Sequence, residues 1–424
     1  MAPTLYGHDE IFAILYLRCL STIVERFFDV GTIVAARYGK TSEIHSALQP
    51  SQNQRLLPPT NHLCTLEHKY ELAIDVGEVV RNYYWKMDPY TDPYMDPQIE
   101  PVDENKLSQM KQIFDEIQAI YDAGTPIFTK DNIRKVGEEL EHFQKGERNN
   151  GATIILKGIN GVDYEAFVEP PINQPPRENE HTGGSKWMIS YNSARSLTNT
   201  NAYLFDFQSA YLPMRIYAPI ILLRHDPECM PPPAPPSEDF TTYQAIERQW
   251  KTSQHYEQLQ EILATIEVPF IPTKVIALAL GPLTLMSQVC ERSVLQHALV
   301  SVLHSTLVQR GILSVSSKQY VQDPAYTQRD RDTIHSAGLA VLDDPQALLE
   351  LDESSVLICI CPGIPIKDIV ADVCRPSIII WDREGYNSPL SSRVRDMVEN
   401  EYIEIGFPYH ECFGDLVILT RKST

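Results

Sequence analysis

VIALALGPL, residues 275–283, is an unbroken apolar run closed by a glycine and a proline. A short run with no polar alternation reads as a strand buried on both faces, which in soluble proteins belongs to a parallel sheet covered by helices. The chain downstream alternates in the way such a sheet requires. The helix CERSVLQHALVSVLHSTLVQR (290–310) comes first, then the strand QYVQDP, a helix through DRDTIHSAG and the strand LAVLD. A helix through DPQALLELD, the strand SVLICIC, the helix IPIKDIVADV and the strand PSIIIWD follow, and the helix SRVRDMVENEY (392–402) precedes a final strand, DLVILT. The alternation predicts an α/β fold with an open, doubly wound, mainly parallel Rossmann-like sheet of about five or six strands; it leaves the strand order open, 3-2-1-4-5 being the usual one for the class.

The chain upstream is different in texture, mixed and rich in helix. IFAILYLRCLSTIVERFFDVGTIVAARYGK (11–40) contains Arg18, Glu25, Arg26 and Asp29 and lacks a basic lead-in, so it reads as one or two apolar helices that pack on something rather than as a targeting segment. A polar connector spans 45–62, and 83–106 repeats Asp-Pro at Asp88, Asp92 and Asp96, which predicts a string of turns. Met110, Ile113, Ile117 and Ile120 or Tyr121 share a helical stripe; Gly124 ends that helix and Thr129 caps the next. ATIILKG (152–158) reads as a strand, 165–187 as a loop, and NAYLFDFQSAYL (201–212) and RIYAPIILLRH (215–225) as strand-like. DPECMPPPAPPSEDF (226–240) reads as a stiff spacer, followed by one helix over 241–266. The expected organisation is a helical region over 1–150, a strand-containing elaboration with a proline-rich linker over 151–240, and the α/β domain over 241–424.

Composition narrows the function classes. The 424 residues carry 36 Lys+Arg against 56 Asp+Glu, a net charge of -20, which argues against nucleic acid as a partner. The eight cysteines show no CxxC spacing, and a reducing, cytoplasmic or nuclear location without a transmembrane segment is expected.

Ligands of such sheets bind beyond the carboxyl ends of the strands, near the reversal of strand order. The loop at Gly281 and Pro282, the turn at Asp323-Pro324, the loop at Cys361-Pro362-Gly363 and the stretch Trp381–Gly385 stand at those ends. Gly281 allows close approach of a backbone or ligand, but one glycine is not a GxGxxG fingerprint. Asp323 follows a second strand, where nucleotide-binding folds often hold a ribose hydroxyl, although its distance from Gly281 is twice the usual spacing of about 20 residues. A structural turn is the other use of an Asp before Pro.

The ordered set ALALGPL, ERSVLQHALV and YVQDPAY, within roughly 266–385, resembles the sensitivity-to-red-light-reduced (SRR-like) domain family, and the whole layout is similar to fungal members with helical N-terminal extensions. The resemblance singles out Gly281, Ser287, Gln296, Asp323 and Pro324, with Cys361 in the fourth-strand loop. That loop lacks the histidine of a His-Cys pair often found in relatives, and DREG stands where they have a Gly-Asn-Ser turn. The resemblance implies a regulatory role, with light and circadian responses in plants and cytoskeletal or growth effects in yeast, and no agreed reaction.

Other constellations compete. Cys359, Cys361, His410 and Cys412 could form a soft-ligand zinc set, but ICICPG sits inside an apolar strand, where cysteine is an ordinary core residue, and no metal is expected. Ser287, Cys361, His297, His304, His335 and Asp382 could supply a nucleophile and base, yet no GxSxG elbow frames them. Gln296 could fix a polar ligand group or cap a loop carbonyl. Two functions stay open: a regulatory domain that acts through a protein partner or a nucleotide-like small ligand, and an enzyme of the methyltransferase or oxidoreductase class using such a cofactor between Gly281, Asp323 and the Cys361 loop.

Overall fold

The computed structural model describes residues 104–149, 151–168, 181–198, 208–218, 220–223, 236–285, 288–383 and 390–423, all within the unit Val79–Thr424. The apolar helices expected over 11–40, the connector over 45–62 and most of the Asp-Pro string lie outside the described residues.

Helix α1 (Glu104–Asp122) starts inside the stretch expected as turns, because Glu104, Asn105 and Lys106 follow its last proline. It ends before Gly124, at φ +82°, and Thr129 Oγ1 accepts from Asn132 N at 3.2 Å to cap α2 (Lys130–Gln144). Strands β1 (Thr153–Lys157) and β2 (Asp163–Phe167) form a hairpin. β3 (His181–Ser185), β4 (Met188–Tyr191), α3 (Ala194–Thr198), β5 (Met214–Tyr217) and β6 (Ile220–Leu223) follow, with β3 paired to β6 and β4 to β5. The loop expected over 165–187 therefore contains the end of β2 and all of β3. HTGGS has no apolar alternation, and pairing with β6 makes it a strand. Conversely, Gln208–Tyr211 of the expected strand is a 3-10 turn, whose Tyr211 hydroxyl donates to Glu116 Oε2 at 2.7 Å.

The single helix expected over 241–266 is two, α4 (Pro236–Lys251) and α5 (Gln254–Thr265), because Ser253 Oγ accepts from Tyr256 N and restarts the helix. α4 also takes the last five residues of the expected spacer: Pro236 suits a first helical turn, and Glu238 and Asp239 favour the positive end of the helix dipole.

The remaining elements are β7 (Lys274–Leu278), β8 (Thr284–Leu285), β9 (Gln288–Val289), α6 (Glu291–Gln309), β10 (Lys318–Gln322), α7 (Gln328–Ser336) and β11 (Ala340–Val341). After them come α8 (Gln346–Glu350), β12 (Ser355–Cys359), α9 (Ile366–Val373), β13 (Ile378–Asp382), α10 (Ser392–Glu401), β14 (Tyr402–Gly406) and β15 (Leu416–Arg421). The sheet has seven strands in the order β11-β10-β7-β12-β13-β15-β14. The first five are parallel, in the order 3-2-1-4-5, and β15 is antiparallel to both neighbours. The count exceeds the expected five or six because YIEIG, an edge strand with Glu404 exposed, continues directly from α10 and carries no turn signal.

Side chains alternate across each strand, so the sheet has two apolar faces. Ile276, Leu278, Leu357, Cys359, Ile379 and Trp381 face a core shared with α1, α2, the β1–β2 and β4–β5 pairs and α8–α10. Val275, Ala277, Val356, Ile358, Ile378 and Ile380 face α4–α7. The αα unit is bolted to α9 and α10 by polar contacts. The Asp372 carboxylate, 5% exposed, accepts from Ile127 N (2.7 Å), Phe128 N (3.0 Å) and Arg393 Nη1 (2.8 Å). The Arg393 guanidinium also donates to the carbonyls of Tyr121 and Thr125 and lies 4.0 Å over the Tyr121 ring.

Removing one member of a buried charge pair leaves the other uncompensated, so Asp372→Ala is expected to lower stability by about 3 kcal/mol, where an exposed pair would give about 1 kcal/mol or less. Urea unfolding of wild type, Asp372→Ala and, as the exposed control, Arg134→Ala measures the difference.

Candidate functional site

The first strand of the parallel order, β7, lies between β10 and β12, with Leu278 opposite both Gln322 and Cys359. Its exit is therefore the point where strand order reverses. Two backbone features mark it. Ala279 (φ 57°) and Cys361 (φ 47°) are the non-glycine residues of positive φ among the described residues, and they follow the adjacent strands β7 and β12. Such conformations cost on the order of 1–3 kcal/mol each and collect at ligand sites.

Gly281 and Asp323, 42 residues apart in sequence, meet at this exit: Gly281 N donates to Asp323 Oδ2 at 2.8 Å. Asp323 Oδ1 accepts from Ala325 N at 2.9 Å, which closes the Asp-Pro turn. Gly281 has φ +73°, and a Cβ there would lie 3.0 Å from Ser293 Oγ in the first turn of α6. Beyond it, Asp330 fixes the loop: Oδ1 accepts from Thr284 N (3.0 Å) and Oγ1 (2.9 Å), while Oδ2 accepts from Thr327 N (2.8 Å) and Oγ1 (2.7 Å). Burial raises the Asp323 carboxyl pKa, against the lowering effect of its two backbone donors and of Lys186.

On its other side Asp323 borders a cleft of about 300 Å³ lined also by Lys186, Trp187, Arg331, Asp343 and Asp344. Lys186 and Trp187 come from the β3–β4 turn, outside the α/β sheet. Lys186 Nζ donates to the Pro324 carbonyl at 2.8 Å, and burial lowers its pKa. Asp344 Oδ1 accepts from Tyr191 Oη (3.0 Å) and Gln322 Nε2 (3.1 Å); burial raises its carboxyl to about 6.

The other candidates are placed as follows. Ser287 lies outside the described residues. Gln296 is buried on α6, and its Nε2 donates to the Cys412 carbonyl at 3.1 Å. Cys361 is exposed at the β12 exit, with a thiol pKa raised by burial and by Asp382, so the thiolate is disfavoured at neutral pH. His297, fully buried, donates through Nδ1 to the Ser293 carbonyl and accepts through Nε2 from Tyr326 Oη, each at 2.7 Å. Asp382 Oδ2 pairs with Lys367 Nζ at 2.9 Å, while its buried Oδ1 has no hydrogen-bond partner among the described residues. Cys359 is buried in β12, and Cys412 N donates to His410 Nδ1 at 3.1 Å. Among the described residues no group of three or more metal-capable side chains converges, and no helix is long and apolar enough to cross a membrane. Sequence reasoning missed Lys186, Trp187, Arg331, Asp343 and Asp344. Asp344-Pro345 repeats the Asp-Pro ending of β10 after β11, a signal that could have found the last of them.

A family model matches residues 258–396, which begin in α5 and end in α10. That model describes the SRR1 domain. The SRR1 match contains Gly281, Asp323, Cys361 and Asp382 but ends before β14 and β15, and it leaves out Lys186 and Trp187. Among solved structures, a Corynebacterium glutamicum protein is 11% identical, with 44% of this chain and 91% of that one covered and a TM-score of 0.26. A Thermoplasma acidophilum protein is 10% identical, with 40% and 98% covered and a TM-score of 0.21. No curated protein matches the chain.

This geometry has two measurable consequences for stability. Gly281→Ala forces a side chain into the left-handed region and against Ser293, so a loss of about 1–2 kcal/mol is expected by chemical denaturation. Burial holds His297 neutral, with its pKa lowered to about 4. The unfolded chain takes up that proton near pH 6.5, so the contribution of His297 is complete above about pH 6.5 and declines as pH falls toward 4. The stability gap between wild type and His297→Gln is expected to narrow over that window in urea titrations.

Proposed function

We propose that the chain is a regulatory SRR1-domain protein that binds a nucleotide-like small molecule beyond the carboxyl ends of β7 and β10. The hydrogen bond from Gly281 N to Asp323 Oδ2 carries this reading. It joins the glycine exit of the first strand to the acidic end of the second, at the reversal of strand order where open α/β sheets take ligands. Asp323 keeps free lone pairs for a ligand hydroxyl, and the Cys361 turn borders the same exit from β12. A role through binding suits the side chains nearby. The Cys361 thiol is held protonated, His297 is buried and neutral, and Asp382 is tied to Lys367. In this scheme the α/β domain begins at 241, and the elaboration over 151–240 is an added layer that supplies Lys186 and Trp187. A protein partner would read the liganded state.

One observation favours a second reading, an enzyme using a nucleotide-like cofactor for methyl transfer. The antiparallel β15 inserts between β13 and β14, an arrangement shared with Rossmann-like methyltransferases. That is an analogy of fold alone.

A thermal-shift panel of nucleosides, nucleotides, nicotinamide cofactors and methyl donors tests the first reading. A ligand that binds the folded chain raises the midpoint by mass action. At least one compound is expected to raise it in wild type and to lose that effect in Asp323→Ala. Silence across the panel, or a shift indifferent to Asp323→Ala, counts against the site.

A further inference from the structure

The cleft beside Asp323 has a charge inventory that discriminates among nucleotide-like ligands. Two cations, Lys186 and Arg331, face three carboxylates, Asp323, Asp343 and Asp344. Each cation already has a partner, and the carboxylates outnumber them. Lys186 Nζ donates one hydrogen bond to the Pro324 carbonyl, and burial disfavours the charged forms of Lys186, Asp323 and Asp344 alike. Arg331 Nη2 pairs with Asp343 Oδ1. A phosphate entering here would meet three carboxylates against two cations, an excess of negative charge, and Coulomb repulsion exceeds its bulk-water value where solvent is partly excluded. The strand exit offers no glycine-rich cradle either, since Gly281 N is occupied by Asp323. The chain as a whole, at a net charge of -20, does not draw polyanions toward the cleft.

Hydrogen-bond donors on a neutral or cationic ligand meet the opposite situation. The oxygens of Asp323 each hold one backbone donor and retain acceptor capacity. Asp343 is 71% exposed at its side chain and open to a further donor. Trp187 adds an aromatic side chain to the wall, its ring packed at 4.8 Å against Phe143, so its position is set before a ligand arrives. The volume of about 300 Å³ stands at the small end of ligand sites, which suits one nucleoside better than a dinucleotide.

We infer that the cleft between the Lys186–Trp187 turn and the ends of β10 and β11 takes an unphosphorylated nucleoside, neutral or positively charged, and discriminates against its phosphorylated forms. The inference rests on the ligand-binding reading above and narrows it to a chemical class. Selectivity then comes from outside the SRR1 match on one side, through Lys186 and Trp187, and from inside it on the other, through Asp323, Arg331 and Asp343.

Calorimetric titration of the full chain with the four common ribonucleosides and their 5′-monophosphates is the test. At least one nucleoside is expected to bind about tenfold or more tightly than its own monophosphate, a difference of about 1.4 kcal/mol. Asp343→Asn removes a carboxylate and releases Arg331 at an exposed position, so it should narrow that ratio severalfold without unfolding the protein. Trp187→Ala should weaken the nucleoside, with circular dichroism confirming the fold. A monophosphate that binds as tightly as its nucleoside, and loses binding in Asp323→Ala, overturns the class assignment and leaves the ligand-binding reading standing. A ratio unmoved by Asp343→Asn also overturns it. Absence of binding by every nucleoside overturns it too, and the wider panel then decides whether the ligand-binding reading falls as well.

Discussion

A strand with apolar residues on both faces cannot lie against water on either, and β7, β12 and β13 are all of this kind. The sheet therefore needs two coats. α4 to α7 provide one. The other is assembled from α8, α9 and α10 together with α1, α2 and the β1–β2 and β4–β5 pairs, which share a single core with Leu278, Leu357 and Trp381. Everything else in the arrangement follows from that demand, including the polar clamp of Asp372 and Arg393, which sets where the αα unit sits. Lys130 adds a second tie by donating to the carbonyls of Leu349, in the last turn of α8, and of Leu351 just after it.

The parts of the fold legible in the sequence are the parts governed by local rules. Val275–Leu278, Ser355–Cys359 and Ile378–Asp382 announce buried strands by composition, and Gly124 and Thr129 announce a helix end and a cap. The parts that were illegible depend on a distant partner. HTGGS becomes β3 only by pairing with β6, and YIEIG becomes β14 only through β15. Pro236 looks like a spacer residue until the acidic turn after it forms a helix start. In each case propensity pointed one way or nowhere, and tertiary pairing decided.

The site divides along the same line. Gly281 and Asp323 could be nominated because strand ends are predictable once the strands are, and topology brings the two together across 42 residues. The wall formed by Lys186 and Trp187 could not. Those residues lie in a stretch without periodicity, and their approach to Pro324 depends on how the second coat docks. Gln296 shows the limit of nominating single polar residues. Its amide reaches the Cys412 carbonyl, and so joins the first helix of the alternating half to the β14–β15 connection.

One wall of the cleft is fixed by its own strand ends and the other is an addition, and the difference has a physical origin. Ala279 holds a positive φ because its neighbours leave no alternative: its N–H continues the β7–β10 ladder to the Gln322 carbonyl at 3.1 Å, and Gly281 two residues on is tied to Asp323. Asp330 then secures Thr284 from α7. Strain of this kind persists only when surrounding bonds over-determine it, and all of those bonds lie inside the SRR1 match. The Lys186–Trp187 wall is held instead by the Phe143 ring, by Gln144 Nε2 donating to the Trp187 carbonyl at 3.5 Å and by the lysine contact to Pro324, from a layer whose sequence lies outside the match. A protein that kept the strand ends and changed the layer would keep the place where a ligand sits and alter which ligand it prefers. On this chain, the rigid exit of β7 supplies position and the second coat supplies choice.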